Sequence, residues 1–152
     1  VVAAFGTIIS TLLAVFAERI HRVLMRRMSG HAVIIGVGQA GSQLATSLID
    51  GGWKVAIVDT DEHAIRASGL VGHGARELLD DGRELATLHA VGACSADVVI
   101  VVTGSDTRNL TIGKAIRRAV VSRNSCGQPL QVFMHISDSR LASIGDLSRE
   151  DA

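Results

Sequence analysis

His31-Ala32-Val33-Ile34-Ile35-Gly36-Val37-Gly38-Gln39-Ala40-Gly41 is the stretch from which the rest of the chain can be read. Ahead of the first glycine stands a short, β-branched apolar run that suits a strand buried on both faces. It leads without a break into a G-x-G-x-x-G spacing. Each glycine has its own reason to lack a side chain. Gly36 permits a tight turn out of the strand, Gly38 lets backbone approach a pyrophosphate, and Gly41 allows a helix to pack closely on the strand. The helix that follows carries Leu44, Ala45, Leu48 and Ile49 on one face, and Gly51-Gly52 ends it. Its first-turn amides and dipole would face phosphates.

Alone, three spaced glycines are a weak signal. Their context strengthens it. Lys54-Val-Ala-Ile-Val58 reads as a second strand and ends at Asp59, 18 residues beyond Gly41. The dinucleotide fingerprint expects an acidic residue about 20 residues on. A carboxylate there, with Thr60 beside it, accepts hydrogen bonds from ribose hydroxyls and repels a 2′-phosphate, which favours NAD(H) over NADP(H). Asp61 suits either that task or a helix N-cap. The same residues are also compatible with a Rossmann domain that has lost its ligand.

The pattern then repeats. Residues 62–72 read as a helix, 75–79 as a weak strand closing on Asp80-Asp81-Gly82, and 83–91 as a helix with Leu85 and Leu88 inward. Residues 97–103 are the strongest buried-strand signal. Gly104-Ser105-Asp106 follows it, where open α/β sheets bind ligands. Residues 107–122 read as a helix, 130–136 as a fifth strand, and Asp138 as the cap of a last helix toward Leu147. Alternating strands and helices imply an α/β, Rossmann-type doubly wound parallel sheet, with expected order 3-2-1-4-5 and helices on both faces.

Composition narrows the setting. Of 152 residues 47% are apolar, with 15 Lys+Arg against 15 Asp+Glu; mean hydropathy is +0.35. That length suits one medium domain. The apolar excess sits in residues 1–17, a run without charge. Arg19, Arg22, Arg26 and Arg27 follow it with Glu18, which leaves the remainder mildly acidic. Such a remainder offers no electrostatic case for nucleic acid. Cys94 and Cys126 make no disulfide framework, and no Cys/His cluster has metal-ligand spacing. The globular part reads as reduced and cytoplasmic.

An apolar run of this length is at the lower edge of a membrane span, and basic residues behind it fit an end exiting on the cytoplasmic side. The alternative is an amphipathic helix packed on the domain, with Ile20, Val23, Leu24 and Met28 in one stripe. Ser29-Gly30 breaks the pattern. The expected division is a transmembrane or linker helix at 1–28 and a Rossmann domain at 29–152. The chain opens on Val1, not Met, and is expected to be part of a longer polypeptide.

From His31 to about Asp146 the sequence resembles the RCK N-lobe, or TrkA-N domain, of potassium channels and transporters. Three features beyond the glycine loop carry the resemblance: Asp80-Asp81-Gly82 before Arg-Glu-Leu-Ala-Thr-Leu, the strand Asp97-Val-Val-Ile-Val-Val-Thr103, and Ser105-Asp106-Thr-Arg-Asn109-Leu110. Asp80 stands where the family has glycine, and Gly82 where it has alanine. The resemblance implies that Gly36, Val37, Gly38, Gln39, Ala40 and Gly41 line the phosphates and that Asp59 and Thr60 hold the ribose. Asp81 and Gly82 would then approach the adenosine, and Thr103, Gly104 and Ser105 the other half of the ligand. Asp106 and Asn109 could join them or cap a helix. It further implies a cytosolic regulatory domain that binds NAD(H) or ATP/ADP, assembles as a homo-oligomer and reaches the membrane through its N-terminal helix.

No catalytic group stands out. Of the six histidines, His135 alone falls near the ligand edge of a predicted strand, and Ser42 and Ser105 lack a base at useful spacing. Two other readings remain open: a fragment of an NAD-dependent oxidoreductase whose substrate domain lies elsewhere, and a soluble nucleotide-binding adaptor.

Overall fold

The computed structural model describes residues 16–17, 19–121 and 130–140. Five strands form one parallel sheet: β1 (Ala32–Ile35), β2 (Val55–Asp59), β3 (Arg76–Leu79), β4 (Val98–Val101) and β5 (Gln131–Met134). Their order is β3-β2-β1-β4-β5, the order expected from the alternation of elements. β1 and β4 are central neighbours, with Ile35 opposite Val101, and the chain reverses its direction of winding between them. That reversal creates the crevice where ligands bind in such sheets.

A short N-terminal helix α1 (19–26) precedes the sheet. The crossovers carry α2 (Gln39–Asp50), α3 (Glu62–Ser68), α4 (Leu85–Ala90) and α5 (Asp106–Val121). Successive side chains of each strand point to opposite faces, and both faces are covered. Ala32, Ile34, Val55 and Ile57 belong to one core layer with Ala45 of α2 and Ile65 of α3. Val33, Ile35, Ala56, Val58, Val99 and Val101 belong to the other, with Leu88 of α4 and Ile112, Ile116 and Ala119 of α5.

Several boundaries and faces differ from the sequence reading. α3 stops at Ser68, not near Gly72. Gly69 adopts φ +66° in a left-handed C-cap, and Leu70, buried at the following turn, accepts Ala75 N through its carbonyl. α4 begins only at Leu85, so Leu85 is exposed at its N-terminal end and Leu88 alone of that pair is buried. Leu44 likewise faces outward on α2, while Leu48 and Ile49 pack. The helix expected after Asp138 begins at residues 139–140, where Asp138 Oδ1 accepts from Arg140 N at 2.9 Å; its continuation toward Leu147 lies outside the described residues.

α1 corrects a second expectation. Of the stripe Ile20, Val23, Leu24 and Met28, the first three are 58%, 51% and 47% exposed and Met28 is half-buried, whereas Met25, outside the stripe, is completely buried. The helix therefore inserts a single side chain into the layer formed with Ala56, Val58, Leu78 and Leu88. It is also held by His21, whose Nε2 lies 2.8 Å from the carbonyl oxygen of Glu77 in β3. No helix among the described residues is long and apolar enough to cross a membrane. The run proposed to do so, residues 1–17, falls almost wholly outside them.

His31 is fully buried at the entry to β1. Its Nε2 donates to the Val91 carbonyl at 2.9 Å, while Nδ1 has no partner among the described residues. Burial holds its pKa below the ordinary histidine value, outweighing the Val91 carbonyl and Asp97, which act the other way. The unfolded chain takes up this proton near pH 6.5 and the folded chain resists it, so stability is lost as pH falls below about 6.5.

Two outcomes follow. Met25→Ala should destabilise the fold by about 2–4 kcal/mol, as for other buried methionines, in urea unfolding of the full chain. The unfolding midpoint of the wild type should decline from about pH 6.5 downward, and His31→Gln should flatten that part of the profile while lowering the plateau.

Candidate functional site: the cleft at the end of β1

The glycine loop is shaped by contacts that leave no room for side chains. Gly36 has φ +103°, and a Cβ there would lie 2.6 Å from the Val102 carbonyl oxygen. Its own amide donates to Val58 O at 2.9 Å, continuing the β1–β2 ladder by one residue. A Cβ on Gly41 would lie 1.9 Å from Gly36 O, so α2 crosses directly over the end of the strand. Gly38 differs from both: it has ordinary negative φ, and a Cβ on it would meet nothing within 4 Å. The space above Gly38 is open.

Gly38 is also the N-cap of α2, yet no side chain caps that helix and no acidic residue stands in its first turn. α3 shows the usual alternative: Asp61 Oδ1 accepts from His63 N at 2.8 Å and Ala64 N at 3.3 Å. Of the two roles open to Asp61, capping is the one its carboxylate performs. A twelve-residue helix left uncapped, with its positive dipole end beneath an open glycine, is suited to an anion.

Asp59, at the end of β2, ties the loop down. Its Oδ2 accepts from Val37 N at 2.6 Å and its Oδ1 from Asp61 N at 2.9 Å. Its carbonyl accepts Asp80 N at 3.0 Å, linking the ends of β2 and β3. An ionised carboxylate has about four acceptor positions, so two such bonds leave capacity for ribose hydroxyls.

The wall beyond Asp59 is acidic. Asp81 receives Arg83 Nε at 3.0 and 2.9 Å and Nη2 at 2.5 Å. This bidentate bond holds the Asp81 carboxyl below the usual carboxylate range. Asp80 pairs with Arg22 of α1 at 3.5 Å. A Cβ on Gly82 would lie 2.6 Å from Ile35 Cγ2, so this turn lies directly against the end of β1.

On the opposite wall, Asn109 and Asp106 bond in a way that neither sequence reading anticipated. Asn109 is fully buried. Its Oδ1 accepts from Thr103 N at 3.0 Å and Thr103 Oγ1 at 2.6 Å, and its Nδ2 donates to His135 O at 2.8 Å. It bridges the ends of β4 and β5 and does not cap its own helix. Asp106 accepts from Ser137 N at 3.0 Å and Asp138 N at 2.8 Å; these amides hold its carboxyl below the usual range. Ser105, whose Oγ lies 3.5 Å from Arg108 N, is placed as the cap.

A cleft brings together six of the residues singled out from sequence: Gly36, Asp59, Thr60, Asp81, Gly82 and Thr103. Gly38, Gln39, Ala40 and Gly41 sit in the loop and first turn of α2, and Val37 in the loop contacts Asp59. Gly104 and Ser105 lie outside the cleft lining. Sequence reasoning passed over Asp80 and Arg108, which line it as well. The run of consecutive aspartates was visible and the place of β3 beside β2 was expected, but which side chains of that turn line the cleft was not. His135 is exposed and outside the lining, and His73 pairs with Asp50 at 2.9 Å. Among the described residues no His, Cys, Asp and Glu side chains are grouped to hold a metal.

A parallel sheet of this order, with a strand–glycine–helix–strand–Asp unit at its switch point, defines the Rossmann class of nucleotide-binding folds. The TrkA-N domain model matches residues 32–126, and the chain belongs to that family. The Trk system potassium uptake protein TrkA of Streptomyces coelicolor is 32% identical over 87 residues, 57% of this chain and 39% of that protein. The chain thus spans less than half of that relative's length. Two solved structures share the fold. One is the NAD(P)-binding domain of an exopolyphosphatase-related protein from Archaeoglobus fulgidus. It has a TM-score of 0.66 at 20% identity, over 80% of this chain and 84% of that one. The other is the TrkA-N domain of the inner membrane protein ybaL from Escherichia coli, with a TM-score of 0.57 at 16% identity, over 82% and 99%.

The bridge through Asn109 can be tested by itself. Asn109→Ala strands Thr103 N and His135 O, and should cost about 2–4 kcal/mol, the sum expected for buried groups left unpaired. Chemical unfolding should show this loss, accompanied by faster amide exchange at Thr103.

Proposed function

We propose that this chain is a nucleotide-sensing regulatory domain of a potassium or other cation transport system, with NAD(H) as the favoured ligand and ATP or ADP as alternatives. The observation that carries the reading is the uncapped N-terminus of α2 beneath the open Gly38, with Asp59 at the end of β2. The first offers backbone donors to a phosphate, and the second offers acceptors to a ribose. The residues present fit an adenine dinucleotide on both counts. Membership of the TrkA-N family and likeness to a potassium uptake protein support the transport setting.

The domain acts by binding and not by catalysis in this reading. No described nucleophile–base pair faces the cleft; its polar lining is Asp59, Thr60, Asp80, Asp81, Thr103 and Arg108. Regulation then requires that the ligand bind two arrangements of the protein unequally, because an equal binder shifts nothing. We place the domain on the cytoplasmic side of a membrane, anchored through residues 1–17, and working as a homo-oligomer without nucleic acid. The competing reading, a fragment of an NAD-dependent oxidoreductase, would need a substrate domain and an acid–base group supplied from elsewhere.

Gly38→Val tests the phosphate cradle. The φ of −68° at Gly38 suits any residue, so the melting temperature should stay within a few degrees of wild type. Affinity for NAD⁺, NADH, ADP and ATP, measured calorimetrically on the full chain, should fall by more than about tenfold, the loss expected when a charge-assisted contact is blocked. Undiminished binding would remove the glycine loop from the site.

A further inference from the structure

Charge on the cleft lining is uneven. Asp59, Asp80 and Asp81 line one bank, and Arg108 is the one cation among the described lining residues. The carboxylates are already engaged: Asp59 by two backbone amides, Asp80 by Arg22, and Asp81 by Arg83. Arg108 is not. Its backbone amide meets Ser105 Oγ, but its guanidinium makes no hydrogen bond or ion pair with a described residue. It acts on Asp81 only through space, helping to hold that carboxyl low.

The position of this guanidinium is constrained from below. Arg108 is the third residue of α5, and the next residue, Asn109, is the buried bridge to Thr103 and His135. Asp106, two residues earlier, is bonded to the backbone of Ser137 and Asp138. The first turn of α5 is therefore pinned on both sides of Arg108, while the side chain itself is exposed. Across the crevice stand Gly36 and the uncapped first turn of α2. A planar guanidinium with five donors suits phosphate oxygens and can engage them in pairs. The acidic bank repels the same group.

We infer that Arg108 is a phosphate-binding residue of this cleft, closing on the ligand's phosphates from the β4 side while the glycine loop holds them from the β1 side. The inference rests on the nucleotide reading above and adds a selectivity to it. The cleft prefers phosphorylated adenosines to the bare nucleoside, and the phosphates lie toward Thr103 and Arg108, away from Asp80 and Asp81. Arg108 is exposed and its guanidinium has no hydrogen bond or ion pair with a described residue, so replacing it breaks neither kind of bond among the described residues.

The test compares ADP with adenosine on the full chain and on Arg108→Gln, in a mild detergent, by titration of amide NMR shifts, which reads millimolar as well as micromolar binding. For the variant, ADP affinity should fall about tenfold, the size of one charge-assisted contact, and adenosine affinity should change less than twofold. Arg108→Lys should recover part of the loss. The preference of the wild type for ADP should shrink as salt is raised, and that of Arg108→Gln should respond less. ADP and adenosine weakening together, or ADP binding the variant as well as the wild type, would exclude Arg108 from phosphate recognition and leave the nucleotide reading standing. A folded wild type that binds neither compound would overturn the nucleotide reading, and this inference with it.

Discussion

The close approach of α2 to the end of β1 sets the geometry on which everything else depends. Gly41 comes so near the Gly36 carbonyl that no side chain fits between them. This contact points the first turn of α2 into the crevice between β1 and β4. Its cost is the loss of side-chain packing at two positions and the extra entropy of two glycines, about 1 kcal/mol each relative to alanine in a regular element. The fold offsets that cost with a sheet whose central strands are almost entirely apolar and buried on both faces. The stiff core and the open cradle are parts of one arrangement: the core makes the tight crossing affordable, and the crossing exposes the amides.

A second constraint comes from polar groups at the strand ends, where the ladder of backbone bonds runs out. A buried amide or carbonyl left unpaired costs more than a hydrogen bond gains. Here side chains take over from the sheet. Asp59 receives the amides of Val37 and Asp61. Asn109 receives Thr103 N and supplies His135 O, and Asp106 receives Ser137 N and Asp138 N. Each joins two segments that meet only at the ligand edge. The cleft is thus bounded by residues that hold its walls, and binding capacity remains at Arg108, at the first turn of α2 and at the unfilled acceptor positions of Asp59.

The elements legible in the sequence were those with a period or a punctuation mark. Alternating apolar runs separated by glycine turns led to five parallel strands in the order observed, and the spacing from Gly41 to Asp59 located the loop and its acidic partner. The misread positions were those where tertiary contacts decide. Ile20, Val23 and Leu24 are apolar at helical spacing, yet α1 meets the domain along the line of Met25, a rotation that no pattern within eight residues can specify. Asn109 looked like a cap because asparagine favours helix ends. The better signal was its place three residues before Ile112 and six before Ala115, on the buried stripe of α5, where a polar side chain must find partners. Asp80 and Arg108 were passed over because one follows β3 and the other lies in the first turn of α5, and the strand order alone does not say which side chains of those segments line the cleft.

The same structural logic bears on how the N-terminal helix is joined to the domain. α1 touches the cleft wall through Arg22 and Asp80, whose side chains are 40% and 31% exposed. Ion pairs with that much solvent access contribute between nothing and about 1 kcal/mol. A fully buried methionine contributes several times as much. Met25, in the core layer with Leu78 of β3 and Val58 of β2, therefore anchors the helix together with the His21 bond to Glu77 O, and the Arg22–Asp80 pair adds little to that anchorage. A helix seated in that way moves with the sheet as one body. For the regulatory role proposed above, displacement of the whole domain relative to its surroundings is then the motion residues 1–17 would feel.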